Sequence, residues 1–192
     1  MRRLAVFASG NGSNFQAIAD AIKEGNLEAD ICLVVCDRED AYVMERARME
    51  NIPVFSFSAK QYENKAGYER EILDELHIHG VEFIILAGYM RLIGSTLLGE
   101  YSHRIVNIHP SLLPCFPGKD AIGQAFKAEV KETGVTIHYV DEGMDTGPII
   151  AQEAVPILNG DTKDILQKRI QELEHELYPK ILHQLCQEKQ HT

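Results

Sequence analysis

Short apolar runs alternate with amphipathic stretches along most of this chain. Leu4–Ala8, Ile31–Val35 and Phe83–Ala87 are nearly continuous hydrophobic runs, and Pro53-Val54-Phe55 is a briefer one. Runs of that length predict strands buried on both faces. Between them, Asn14–Lys23, Ala41–Met49, Gly67–His77 and Ser95–Tyr101 read as helices, and Arg104-Ile105-Val106 opens another strand. Strands alternating with helices predict a parallel sheet with helices on each side. The pattern then changes. Val135–Val140 and Pro148–Glu153 alternate, and the polar loop Asp141–Gly147 joins them. From about Thr162 to Gln187, Ile165, Ile170, Leu173, Leu177, Ile181, Leu182 and Leu185 recur near helical spacing. The reading is an α/β chain: a mostly parallel twisted sheet flanked by helices, an antiparallel C-terminal strand pair and a long terminal helix.

Composition narrows the function classes. A length of 192 residues suits one domain spanning 1–192. The formal net charge of -10 argues against a nucleic-acid footprint, which needs a basic face. It leaves room for a small anionic substrate held by local donors. Of the four cysteines, Cys32 and Cys36 share a strand and stand about 13 Å apart, too far for a disulfide. No Cys-x-x-Cys pair occurs, so no metal site is expected, and reduced thiols fit a cytoplasmic protein. No apolar run approaches the ~20 residues of a membrane span. The start Arg2–Ala8 has too short an apolar core for a signal peptide, and Ser9-Gly10-Asn11-Gly12 breaks it.

The chemistry gathers at strand ends. Asn107 and His109 are two residues apart at the end of an apolar run, so in a strand they share a face. Pro110 should stop that strand. An amide donor beside an imidazole suits carbonyl chemistry, where one group holds an oxyanion and one moves a proton. The same spacing also suits plain turn chemistry. Ser9–Asn14 joins the first strand to the first helix. Its glycines allow close backbone approach, Ser13 and Asn14 can cap the helix, and free amides there bind phosphate. It lacks a Walker lysine and, with Phe15 in the third position, is not Gly-x-Gly-x-x-Gly. Met90, Arg91, Leu92 and Ile93 follow the fourth strand, where open sheets bind ligands. The acidic loop Asp141-Glu142-Gly143-Met144-Asp145 could bring a carboxylate to His109 and favour its imidazolium. His138 reads as packed polar core or support for the site. His77 and His79 read as helix-end caps, and His175 and His183 as surface or boundary residues.

Four stretches taken together resemble the phosphoribosylglycinamide formyltransferases, a folate-dependent family of purine synthesis. They are Ala8–Asn14, Leu86–Arg91, Asn107-Ile108-His109-Pro110-Ser111-Leu112-Leu113-Pro114 and Gly143–Pro148, in family order. The resemblance implies a Rossmann-like formyltransferase fold and direct formyl transfer from 10-formyltetrahydrofolate to the amine of glycinamide ribonucleotide, without a metal. By the same resemblance, Asn107, His109 and Asp145 are catalytic. Gly12, Ser13 and Asn14 hold the ribotide phosphate, and Glu174 its ribose hydroxyls. Met90, Arg91, Leu92, Ile93, Asp141, Glu142, Gly143, Met144 and Asn107 hold the pterin, and Lys65 the folate tail. Residues from about 1 to 100 form a ribotide phosphate half, and about 101 to 192 a catalytic and folate half. The implied partners are small molecules, with no nucleic acid or membrane, and the implied state is a monomer or weak homodimer. Lys65 stands where some members carry Arg, and Cys115 and Asp120 where some carry basic residues. Two neighbouring families are less similar. One adds an RNA-binding domain at the C-terminus, the other a regulatory domain at the N-terminus. Since no thiol chemistry is implied, Cys115→Ser should keep at least about half the wild-type activity, as surface changes usually cost little. A formylation assay beside a melting curve checks this, and activity lost without unfolding would expose a role for the thiol.

Overall fold

A computed structural model describes residues 1–188. Strand β1 (Arg2–Ala8) pairs in parallel with β2 (Ala29–Cys36) on one side and β4 (Phe83–Leu86) on the other. β3 (Val54–Ser56) extends the sheet beyond β2, and β5 (Ile105–His109) beyond β4, both parallel. β6 (Glu132–Tyr139) and β7 (Ile149–Pro156) then add antiparallel, giving seven strands in the order β3-β2-β1-β4-β5-β6-β7. This is the mostly parallel sheet with an antiparallel C-terminal pair that the apolar pattern predicts.

Both faces of the sheet are covered, and β1 shows why its sequence has no polar alternation. Leu4, Val6 and Ala8 enter one core with Phe15 and Ile18 of α1 (Ser13–Lys23), Val43 of α2 (Tyr42–Met49) and Leu177 of α6 (Lys163–Gln187). Ala5 and Phe7 enter a second core with Ile72 and Leu76 of α3 (Lys65–Ile78) and Leu97 of α4 (Ser95–Glu100). Each fully buried Val, Leu, Ile or Phe side chain there contributes about 1.5–3 kcal/mol. In β5, Val106 and Ile108 join the first core and Ile105 the second. Asn107 and His109 therefore face the side of α3 and α4.

Strand order reverses at β1, because the chain adds β2 and β3 to one side and returns with β4 on the other. The segments after β1 and β4 leave the sheet together at that reversal, where ligands bind in open α/β sheets. Their backbones are joined, with the Ser9 amide donating to the Gly88 carbonyl at 3.0 Å.

Two elements escape the periodic reading: a 3-10 turn at Ala59–Gln61 and α5 (Ala121–Lys127). Asp120 begins α5 by accepting the Gly123 amide at 3.2 Å from a left-handed backbone, φ 53. Apolar spacing carries no sign of such a cap. β6 starts at Glu132 and β7 ends at Pro156, each three residues beyond its alternating run at Val135 or Glu153. Those outer residues pair mainly with each other, Glu132 opposite Pro156 and Gly134 opposite Ala154. The backbone ladder holds them, so little alternation is required.

Tyr178 ties α6 to the sheet. Its buried hydroxyl lies 2.8 Å from the Leu86 carbonyl at the end of β4 and 3.2 Å from the Val106 carbonyl within β5. Tyr178→Phe should destabilise the fold by about 1–2 kcal/mol, the usual result of losing one buried donor. Urea denaturation measures it, and an unchanged midpoint would mean that α6 is held by packing alone.

Candidate active site

A single row of cross-strand partners organises the site. Phe7 lies opposite Leu86, Leu86 opposite Asn107, and Asn107 opposite His138. At ~4.8 Å per strand, this row spans about 14 Å from β1 to β6. His109 lies two residues beyond Asn107, opposite Thr136, and is buried. The spacing of Asn107 and His109 thus has the consequence expected of it: both side chains lie on one face of one strand.

His109 sits between two acceptors. Nε2 lies 3.0 Å from the Phe116 carbonyl, and Nδ1 lies 3.5 Å from Asp145 Oδ2. Carbonyl and carboxylate oxygens only accept, so a ring protonated on both nitrogens suits both neighbours. Asp145 takes a left-handed backbone, φ 56, and turns its carboxylate inward while Asp141, Glu142, Gly143 and Met144 stay exposed. Its Oδ2 also accepts the Gly118 amide at 2.8 Å, which fastens the acidic loop to the segment after β5. Asp141 serves that loop itself, accepting from the Gly143 amide at 2.9 Å and the Thr146 hydroxyl at 2.6 Å.

His138 belongs to this cluster more closely than its position in an alternating strand suggests. Burial holds its imidazole below the ordinary range, outweighing the Tyr139 carbonyl and the Asp145 charge. The neutral ring donates from Nδ1 to the Tyr139 carbonyl at 2.8 Å, leaving Nε2 to accept from the Asn107 amide at 3.3 Å. His138 Nε2 is also 3.8 Å from Asp145 Oδ1, too far for a hydrogen bond, and a neutral ring forms no ion pair there. His138 therefore orients Asn107, leaving the second amide hydrogen of Asn107 for another acceptor.

The strand-to-helix loop after β1 departs from the expectation that Ser13 and Asn14 cap α1. Gly12 is the N-cap, with φ 78 and no side-chain cap bond, and Ser13 opens the helix. A Cβ on Gly12 would lie 2.6 Å from Val43 Cγ2 and 2.9 Å from Val43 Cα. Gly12 is thus needed for its backbone conformation and for the approach of α2, as well as for any ligand. The side chains of Ser13 and Asn14 reach α6 instead. His175 Nε2 lies 3.0 Å from Ser13 Oγ, and Asn14 Nδ2 lies 3.4 Å from Glu174 Oε2. Arg46 of α2 holds Asn11 through its carbonyl at 2.8 Å and its side chain at 2.9 Å. His175, expected to be a surface or boundary residue, and Arg46 are the neighbours that sequence reading missed. The repeated contact of Glu174-His175 with Asn14 and Ser13 arises only when α6 packs on α1.

Beyond β4, Met90 and Leu92 are exposed, Ile93 is buried and Arg91 is half-buried. Arg91 Nε donates to Asp37 Oδ2 at 2.8 Å, so it is anchored and not a freely solvated loop charge. Lys65 Nζ donates to the Leu92 carbonyl at 2.9 Å. Cys115 is exposed and Asp120 pairs with Lys163, so neither supplies a positive charge to the site. One surface groove lies between α1 and α6 beside Asp20, His175, Pro179 and His183, and another beside Arg2, His103 and Arg104. The segment from Ser111 to Gly118 folds against the buried His109, with the Phe116 carbonyl 3.0 Å from its ring. Among the described residues, no group of three or more His, Cys, Asp or Glu side chains is placed to hold a metal ion. None of the helices among them is long and apolar enough to cross a membrane.

Glu174 makes the site pH-sensitive. Burial raises its carboxyl from 4.5 to about 7, against the opposing hydrogen bond from Asn14. A raised acid contributes its stability fully below its unfolded value and loses it as pH climbs through the folded one. A shift from 4.5 to about 7 corresponds to about 3 kcal/mol. Glu174→Gln removes the buried charge. It should therefore be more stable than wild type by about 2–3 kcal/mol near pH 8, and by much less near pH 5. Urea denaturation at both pH values tests this, and an equal gap at the two would show that burial does not penalise the charge.

The chain is similar to known proteins over nearly its whole length. A formyl transferase family model matches residues 2–182. The chain is 58% identical over 185 residues to a phosphoribosylglycinamide formyltransferase of Bacillus subtilis, covering 96% of this chain and 95% of that one. It is 44% identical over 183 residues to the trifunctional purine biosynthetic protein adenosine-3 of Drosophila pseudoobscura pseudoobscura, covering 94% of this chain and 13% of that one. The crystal structure of glycinamide ribonucleotide transformylase 1 from Geobacillus kaustophilus superposes with a TM-score of 0.94 at 63% identity, covering 96% of this chain and 98% of that one. Shared sequence across nearly the whole length, on the same fold, assigns the chain to the formyl transferase family.

Proposed function

We propose that this chain is an enzyme of purine synthesis that transfers a formyl group from 10-formyltetrahydrofolate to the amine of glycinamide ribonucleotide. The observation that carries the proposal is the trio on one face of the sheet: Asn107 and His109 on one strand, and Asp145 3.5 Å from the His109 ring. In the reaction, the amine attacks the formyl carbon and a C–N bond forms. The carbonyl oxygen becomes an oxyanion, for which Asn107 and protonated His109 act as donors. The bond from the formyl carbon to the folate nitrogen then breaks. The amine loses one proton, the folate nitrogen gains one, and Asp145 sustains the imidazolium while that proton moves. In the present arrangement His109 Nε2 faces the Phe116 carbonyl, so use of that nitrogen requires the segment after β5 to shift as substrates enter.

The substrate assignments follow the same reading. Gly12, Ser13 and Asn14 receive the ribotide phosphate at the start of α1, where no side chain caps the first-turn amides. Glu174 takes the ribose hydroxyls beside Asn14. Met90, Arg91, Leu92 and Ile93, with Asn107 and the Asp141–Met144 loop, receive the pterin, and Lys65 the tail. The division near residue 100 is approximate, because α6 returns Glu174 to the phosphate loop and α3 contributes Lys65 to the folate side.

Mixing the protein with both substrates and following both products tests the reading. Formylated ribotide and free folate should appear in equal amounts, whereas folate release alone would indicate hydrolysis. Asp145→Asn keeps size and removes charge, and should lower kcat by about a hundredfold or more while ribotide KM changes little, the scale of lost acid–base and oxyanion support. Steady-state kinetics decide it. A kcat near wild type would make Asp145 a loop residue only and overturn the mechanism at its centre.

A further inference from the structure

Each end of the segment from Gly88 to Gly94 is pinned by side chains from outside it. Ser9 Oγ accepts the Met90 amide at 2.9 Å. Asp37, the residue after β2, accepts from Arg91 Nε at 2.8 Å, across β1. Lys65 holds the Leu92 carbonyl, and Glu69 Oε2 accepts the Gly94 amide at 2.8 Å.

Two of these pins are buried carboxylates, and neither belongs to the catalytic cluster. The side chain of Asp37 is 4% exposed while that of Arg91 is 36% exposed, so the acid lies beneath the cation and steadies it. Arg91 also lies over the Tyr68 ring, 5.8 Å from its centroid. Glu69 does the work of a missing cap. Gly94 is the N-cap of α4 and offers no side chain, and a carboxylate from α3 occupies that place. A Cβ on Gly94 would lie 2.5 Å from Glu69 Oε1 and 2.7 Å from Lys65 Cδ, so a larger residue there would push both side chains aside. Asp37 Oδ1 and Glu69 Oε1 are both buried without a hydrogen-bond partner. Retaining two unpartnered buried oxygens costs stability. Both oxygens belong to side chains that hold one short segment.

We propose that Asp37 and Glu69 are positioning residues that hold Met90–Ile93 in the shape that receives the folate co-substrate, Asp37 through Arg91 and Glu69 through Gly94. This rests on the reading that Met90–Ile93 is the pterin subsite. Neither acid touches the folate. They set how much ordering of the segment must accompany binding, since a segment already held in its bound shape loses less entropy when the ligand arrives.

The test uses tetrahydrofolate binding by calorimetry, with steady-state kinetics on the same proteins. Asp37→Asn and Glu69→Gln keep shape and remove charge. Each should raise the tetrahydrofolate Kd and the formyl folate KM by about fivefold to twentyfold, with ribotide KM and kcat within about twofold, as expected of lost preorganisation. A double-mutant cycle separates positioning from general support. In an Arg91→Gln background, Asp37→Asn should add less than about twofold, because its route is already cut, while Glu69→Gln should keep its full effect. Melting curves identify any variant that does not fold, and the remaining one then decides. Folded variants that bind tetrahydrofolate like wild type would overturn the proposal. So would an undiminished effect of Asp37→Asn without Arg91, or equal changes in both substrates' KM. If the wild-type protein itself binds no tetrahydrofolate, the folate reading fails instead, and the two failures are distinguishable.

Discussion

In the β5–β6 pair, Asn107 lies opposite His138 and His109 opposite Thr136, and the remaining geometry of the site depends on this antiparallel register. Side chains alternate with period two, so a slip of one residue would turn Asn107 and His109 into the opposite core. Val106 and Ile108 prevent the slip, because their apolar side chains would then lose their own burial. Thr136 adds a polar lock: its hydroxyl accepts the Leu113 amide at 3.0 Å and donates to the Ser111 carbonyl at 2.6 Å. The register therefore also sets where the segment after β5 begins its fold over His109.

Around that register, the loops are fastened chiefly by polar contacts from distant parts of the chain. Glu174 and His175 reach the first loop, Asp37 and Glu69 the segment after β4, and Gly118 joins Asp145. Among the described residues, buried side-chain oxygens without partners occur at Asn14, Asp37, Glu69 and Thr133, and three of these four lie in the fastenings. Unsatisfied buried groups concentrated in these fastenings indicate stability given up for a defined loop geometry.

Much of this was legible in the order of residues. Buried parallel strands have no polar face, so β1, β2 and β4 announced themselves as apolar runs, and the long α6 as a helical stripe. Asn107 and His109 needed only the period of a strand to be placed on one face. Asp145 was foreseeable as an acid in a glycine-bearing loop, and the motif resemblance named its place beside His109. Strand boundaries were less legible where pairing alone holds them, as at Glu132–Gly134. The caps at Gly12 and Asp120 were missed or misassigned, because left-handed backbone leaves no periodic trace.

The sequence by itself determined the alternation of strands and helices, the common face of Asn107 and His109, and the family motifs. These are local properties, set by the chain's two short periods and by residues a few positions apart. Only the tertiary structure decided that His138 orients Asn107, that Arg91 is tied to Asp37, that Glu69 caps α4, and that Glu174 and His175 meet residues more than 150 positions earlier in the chain. Such contacts depend on strand order and helix packing, which bring together groups that no local spacing relates.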